Sequence, residues 1–226
     1  MQNGWQGITQ FKKMKVFRKI ILWIFETAVY RWLLLHLVPY IRFSCYYTSF
    51  RGWRYQRGYK FLSPGDIILT NDAWKLTSFL IPGVWTHAAL CVTRDSEFEI
   101  AEMTHTDFTR STFFDLCKEA TRIAIFRCQE WDAPYIKQVI AKCLSFQKCK
   151  YDIAFSQGPE ALYCSELIIE SDFEHRLKAS NEDIHGLGML YVSPTGISKA
   201  TNIVKIWDSD DETQPTWDDE IQMETT

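Results

Sequence analysis

The 226-residue chain has no CxxC pair and no His-rich ligand spacing, although it carries seven cysteines. The interval from Cys143 to Cys149 matches no zinc signature either. Neither a metal site nor a cofactor is expected. An odd number of cysteines without paired spacing fits reduced thiols in a cytosolic setting better than a disulfide scaffold. Glycine and proline number only 10 and 7, which excludes collagen-like and low-complexity chains. There is no internal repeat. A membrane span needs about 20 mostly apolar residues in a row; within residues 12–38 the longest run without formal charge is Trp32 to Ile41. No small-residue cleavage site follows an uncharged core, so a secretory signal is not expected.

Acids are almost missing from the first sixty residues and bases from the last nineteen. Residues 1–60 hold eleven Lys/Arg and one acid, Glu26. Residues 208–226 hold eight acids and no base. The net charge of −3 hides this split. On a helical wheel Lys15, Arg18, Lys19 and Glu26 fall within roughly a 100° arc, with Val16, Phe17, Ile20, Trp23, Ile24 and Ala28 outside it. Pro39 stops the helix. A narrow cationic face and a wide apolar face containing Trp suit a helix lying on an anionic membrane surface. A docking helix over the main domain is one alternative and a true membrane span the other. Nucleic acid is not expected as a partner, because bulky aliphatics separate the basic residues. The expected localisation is cytoplasmic with peripheral membrane association; an anchor holding the domain in a periplasm or lumen is the other option.

The rest divides into a basic helical arm and linker over 1–61, with Arg51 to Lys60 as the linker, a domain over 62–207 and an acidic tail over 208–226. Asp66 to Thr70 reads as a strand after Ser63-Pro64-Gly65. Trp74 to Leu80 reads as a short helix. His87 to Thr93 is a nearly unbroken apolar run, as in a strand buried on both faces. Phe98 to Met103 returns as the second arm of a hairpin. A short helix over Ser111 to Ala120 and a strand over Ile123 to Arg127 follow. Ile136, Val139, Ile140, Cys143 and Leu144 have amphipathic helical spacing within Ala133 to Lys148. A break at Ser156-Gln-Gly-Pro159 precedes a helix over Cys164 to Phe173. Short strands at Tyr191 to Val192 and Ile203 to Trp207 close an α+β domain with an antiparallel sheet packed against helices.

Three residues in this pattern could carry chemistry. Cys164 falls at a helix start, where free N–H groups and the helix dipole favour a thiolate. Taken alone it is more often a buried structural cysteine. His87 opens the buried strand at a cleft edge and could serve a thiolate as base. With a two-residue turn at Asp95-Ser96, residue 102 faces residue 89, which puts Glu102 on the sheet face of His87. Glu99 then faces the other side. A one-residue change of turn would exchange the two acids.

The blocks Gly65-Asp66, Trp85-Thr86-His87, Ile100-Ala101-Glu102, Tyr151-Asp152 and Tyr163-Cys164-Ser165-Glu166-Leu167, in that order, resemble the YiiX/YaeF-like family. This is a circularly permuted branch of the NlpC/P60 papain-like superfamily. Val192-Ser193-Pro194 resembles a late segment of the same family. The resemblance implies Cys164 as nucleophile, His87 as base and acid, and Glu102 as its orienting residue. It implies a structural role for Asp66, and a cleft lined by Tyr163, Tyr151, Asp152 and Trp85. The implied activity is a cysteine hydrolase or amidase working through a thioacyl-enzyme on a lipid or a peptidoglycan-like peptide. The alternatives are an acyltransferase of the lecithin:retinol acyltransferase type and an inactive lipid- or peptide-binding module.

Overall fold

The computed structural model describes residues 27–38, 41, 52–72, 81, 83–94, 99–152, 161–183 and 190–211. The arm ahead of residue 27, the helix expected at Trp74 to Leu80, the Asp95-Ser96 turn, the break at 156–159 and the acidic tail past residue 211 lie outside the described residues. Helix α1 (Ala28–His36) is followed by α2 (Trp53–Phe61). Strands β1 (Ile67–Asn71), β2 (His87–Cys91), β3 (Ile100–Thr104) and β4 (Asp107–Ser111) come next, then α3 (Phe113–Glu119) and β5 (Arg122–Cys128). Helix α4 (Ala133–Ser145), the short strands β6 (Lys150–Tyr151) and β7 (Ala161–Leu162), and α5 (Cys164–Ser171) follow. Strands β8 (Glu182–Asp183) and β9 (Leu190–Tyr191), α6 (Pro194–Ser198) and β10 (Ile203–Asp208) complete the order.

Six strands form one antiparallel sheet, in the order β10-β5-β1-β2-β3-β4. Side chains alternate across it, and both faces are covered. Ile68, Ala89, Cys91, Ile100, Ile123 and Ile125 pack with Phe113, Leu116 and Cys117 of α3, with Tyr55 and Tyr59 of α2 against them. Ile67, Leu69, Ala88, Leu90, Ala101, Met103, Ala124 and Phe126 pack with Tyr135, Val139 and Cys143 of α4 and Leu167 and Ile168 of α5. Double coverage explains why the apolar run from His87 does not alternate with polar residues. The α+β class with an antiparallel sheet against helices is what the sequence implies.

Two local expectations change. Residues 53–60 of the expected linker are helical: α2 packs on β10 and α3. Gly58 permits this, since a Cβ there would meet the Trp207 ring at 3.0 Å and Phe113 at 3.1 Å. Tyr55 and Tyr59 stack with ring centroids 5.8 Å apart, one helical turn from each other. The helix expected from Ser111 starts instead at Phe113. Thr112 caps it, its hydroxyl accepting the Asp115 N–H, while the Asp115 carboxylate accepts the Thr112 N–H. Ser111 belongs to β4, which the sequence reading passed over.

Asp66 is structural in its geometry. It is fully buried, pairs with Arg127 through two bonds of 2.7 and 2.8 Å, and accepts the Ser63 N–H. It thereby joins the turn before β1 to β5. Among the described residues, no helix is long and apolar enough to cross a membrane.

Candidate active site

His87 occupies the first position of β2, where the strand has just joined the sheet through the Thr86 N–H to Thr70 O bond. Ala89 pairs with Glu102 across the β2–β3 hairpin. His87 is two residues before Ala89, so both side chains rise from one face. The His87 Nε2 lies 2.7 Å from Glu102 Oε2. The other oxygen, Glu102 Oε1, accepts the Ser111 hydroxyl. Ser111 pairs with Ile100 across β3–β4, which places it on the same face as Glu102. Glu102 and Ser111 are buried, while the His87 side chain keeps 24% exposure. Glu99, the other acid of the hairpin, is turned to the start of α3, where it accepts the Phe113 N–H at 3.2 Å.

Cys164 is the first residue of α5. Tyr163 ahead of it is extended, at φ −96° and ψ 171°, and the Glu166 carboxylate accepts its N–H at 3.3 Å. That is the helix-to-cap half of a capping box. α5 packs against β2 and β3, which brings its first residue to the first residues of β2. Burial pushes the Cys164 thiol up, but hydrogen bonding to His87, the imidazolium charge, and the Ala88 and Ser165 N–H groups outweigh it and bring the thiol below its ordinary value. Burial pulls His87 down, yet hydrogen bonds and charge from Cys164 and Glu102 raise it to about 10. Both shifts favour one state, a thiolate beside an imidazolium. With Nε2 turned to Glu102, Nδ1 is the ring nitrogen left for the thiol.

The other expected residues fall differently. Tyr151 pairs beside Leu162 in the parallel β6–β7 ladder. Burial and then the Cys164 charge push its phenol up, so it stands in the field of the sulfur. The Asp152 backbone continues that ladder, donating to Leu162 O, and its side chain is buried near Glu166. Tyr163 packs against Tyr191 at 6.1 Å, and its hydroxyl accepts the Val192 N–H. Trp85 is the last residue of the expected cleft lining. It is 5% exposed in the core, edge-on to Phe126 and beneath Arg122 at 4.9 Å. Its place next to the Thr86-His87 pair reflects packing of the strand's approach.

The sequence reading missed Ser111, Ser165 and Thr195. The Ser165 hydroxyl donates to Val192 O at 2.6 Å. The Thr195 hydroxyl accepts the Trp85 N–H at 3.0 Å. The only signal in the sequence was their position, one beside Cys164 and one beside Pro194. Ser111 would have followed from reading β4 as the partner of β3.

A thiol on a late helix, met by an imidazole and a carboxyl on earlier strands of a helix-covered antiparallel sheet, belongs to the class of permuted papain-like folds. The chain belongs to the Peptidase_C92 family, the YaeF/YiiX permuted papain-like amidases, whose family model matches residues 61–214. It is accordingly an enzyme of the hydrolase and amidase kind. Among solved structures it resembles yiiX from Escherichia coli O157:H7, which carries the designation DUF1105 and is described as a metalloprotein. The TM-score is 0.56 at 13% identity, covering 68% of this chain and 98% of that one. No curated protein matches significantly. Among the described residues of this chain, no three His, Cys, Asp or Glu side chains converge as metal ligands.

Proposed function

We propose that the protein is a cysteine amidase or hydrolase with Cys164 as nucleophile, His87 as general acid and base, and Glu102 as the residue that orients His87. The observation that carries this reading is the placement of Cys164 at the first residue of α5, against the start of β2, where His87 Nε2 lies 2.7 Å from Glu102 Oε2. The thiolate attacks the substrate carbonyl carbon and forms a C–S bond. The carbonyl oxygen takes the negative charge and is held by N–H groups of the first turn of α5. His87 gives its proton to the departing amine or alcohol as the C–N or C–O bond breaks, leaving a thioacyl-enzyme. Water then attacks the thioester while His87 takes its proton. The C–S bond breaks, the acid leaves and the thiolate returns. An acceptor alcohol or amine in place of water would give acyl transfer.

The proposed substrate is an amide or acyl ester of a lipid or a cell-wall-like peptide, met at a membrane surface. Support for the surface comes from the basic excess of residues 1–60 and from α1, where Val29 and Trp32 are 70% and 58% exposed. Exposed Trp and aliphatics beside cations suit an interfacial helix.

The test is labelling of the full chain by an acyl-type activity probe, with the thioacyl adduct located by mass spectrometry. An adduct on the Cys164 peptide that Cys164→Ala abolishes is expected. Undiminished labelling of a folded Cys164→Ala protein overturns the assignment. Flotation with anionic and neutral vesicles tests the surface reading: salt-sensitive binding to the anionic ones is expected, and equal recovery without vesicles refutes it.

A further inference from the structure

The nucleophile and the base sit on elements 77 residues apart in the chain, Cys164 on α5 and His87 on β2. Their sulfur and ring must be held within a few tenths of an ångström, and packing of α5 on the sheet alone sets no such register. One segment, Val192 to Thr195, is bonded to the approaches of both.

On the α5 side, Val192 is held twice. Its carbonyl accepts the Ser165 hydroxyl at 2.6 Å, and its N–H donates to the Tyr163 hydroxyl at 3.3 Å. Ser165 and Tyr163 are the immediate neighbours of Cys164. On the β2 side, the Thr195 hydroxyl accepts the Trp85 N–H at 3.0 Å, two residues before His87. Gly83 closes onto the same hydroxyl, where a Cβ would stand 2.3 Å from Thr195 Oγ1. The segment itself is rigid. The Ser193 side chain accepts the Gly196 N–H at 2.7 Å as the cap of α6, with Pro194 at the first helical position. Ser193 and Thr195 are buried.

We propose that Val192–Thr195 is a brace that sets the spacing of the Cys164–His87 pair, and that Thr195 and Ser165 are its positioning residues. Neither touches the reacting atoms. They act by fixing the approach to His87 and the start of α5 to a common rigid turn. The inference rests on the proposed thiolate–imidazolium pair.

The test needs no substrate. Full-length wild type, Thr195→Val, Thr195→Ser and Ser165→Ala are alkylated with iodoacetamide across pH 5 to 10. The rate is read on the Cys164 peptide by mass spectrometry, because only the thiolate reacts. Far-UV circular dichroism establishes folding. Thr195→Val keeps the β-branch but removes the acceptor for the Trp85 N–H. Its pH midpoint is expected to rise by about one unit, a roughly tenfold slower reaction at pH values below the wild-type midpoint. Thr195→Ser is expected to restore the wild-type profile, and Ser165→Ala to shift it in the same direction as Thr195→Val. Folded Thr195→Val and Ser165→Ala proteins with the wild-type midpoint overturn the brace. If Thr195→Val does not fold, Ser165→Ala alone decides by the same criterion. A wild-type midpoint at that of an ordinary thiol overturns the underlying pair, which is a different failure from unmoved variants around a depressed wild-type value.

Discussion

Glu102 lies 2.7 Å from His87 because it stands opposite Ala89 in the β2–β3 ladder, not because the two are close in the chain. A slip of one residue would turn Glu102 to the other face and present Glu99 in its place. The carboxylate is therefore bound to the register of the hairpin, and its effect on His87 is open to direct measurement.

Glu102→Gln keeps a side chain of the same shape and removes the charge that helps hold His87 at about 10. A raised imidazolium is present below its folded pKa and lost as pH rises through it. The alkaline limb of probe labelling should accordingly move to lower pH, and the neutral rate should fall by roughly 10²-fold. Labelling rates from pH 5 to 11 check both. An unmoved alkaline limb would detach Glu102 from the base.

Ser111→Ala removes the only sequence-silent partner named for Glu102, the hydroxyl on Oε1. A buried carboxylate that loses a hydrogen bond costs about 1.5–3 kcal/mol. The expected result is a loss of unfolding free energy of that size, read as a lower denaturation midpoint with an unchanged m-value. Labelling should fall less than in Glu102→Gln, because the His87 contact survives.

Glu166 supplies a pH signature in stability. Burial raises its carboxyl, with the charges of Asp152 and Glu170 adding to it and the Tyr163 N–H opposing, to about 7 from 4.5. The folded pKa is above the unfolded one, so the native state binds the proton more tightly and stability falls as pH rises from about 4.5 to about 7. Glu166→Gln keeps an acceptor for the Tyr163 N–H and has no charge to bury. It should melt higher than wild type at pH 8 and lose that advantage at pH 4. Equal differences at both values would show that Glu166 is not ionising in the folded protein.

Arg127→Met leaves Asp66 buried without its partner. Removing one member of a buried ion pair costs about 3–5 kcal/mol. Here the loss should be roughly 2 kcal/mol, since Arg127 is 42% exposed and its pairing is partly screened. The loss should shrink at low pH, where a protonated Asp66 needs no cation. Chemical denaturation at pH 4 and pH 8 measures it.

The local signals in the sequence reached a good part of this structure. The apolar run from His87, the amphipathic spacing of α4 and the helix start at Cys164 are visible because each is written in consecutive residues. The pairing of Glu102 with Ala89 followed from counting back from an assumed two-residue turn. Other elements were hidden because their determinants are distant. α2 reads as basic and glycine-containing, and its role depends on Trp207 and Phe113 lying against Gly58. β4 is only five residues, half exposed, and its sequence DFTRS carries no alternation. The packing of Trp85 is hidden as well, because Phe126 and Arg122, which hold its ring, are about forty residues away in the chain. Thr195 could not be read at all without the fold.

The contact between α2 and β10 makes neighbours of the first and last elements around the sheet, and Phe61 and Asp211 border one small hollow. A peptide long enough to run from Asp211 back along α2 to its start at Trp53 would keep both elements in place. If the backbone were then reopened between Asp152 and Ala161, translation would begin with Cys164 and reach His87 and Glu102 afterwards. The same sheet could in this way be built from a gene that reads nucleophile first, so the order of its catalytic candidates is a matter of where the chain is cut rather than of how it folds.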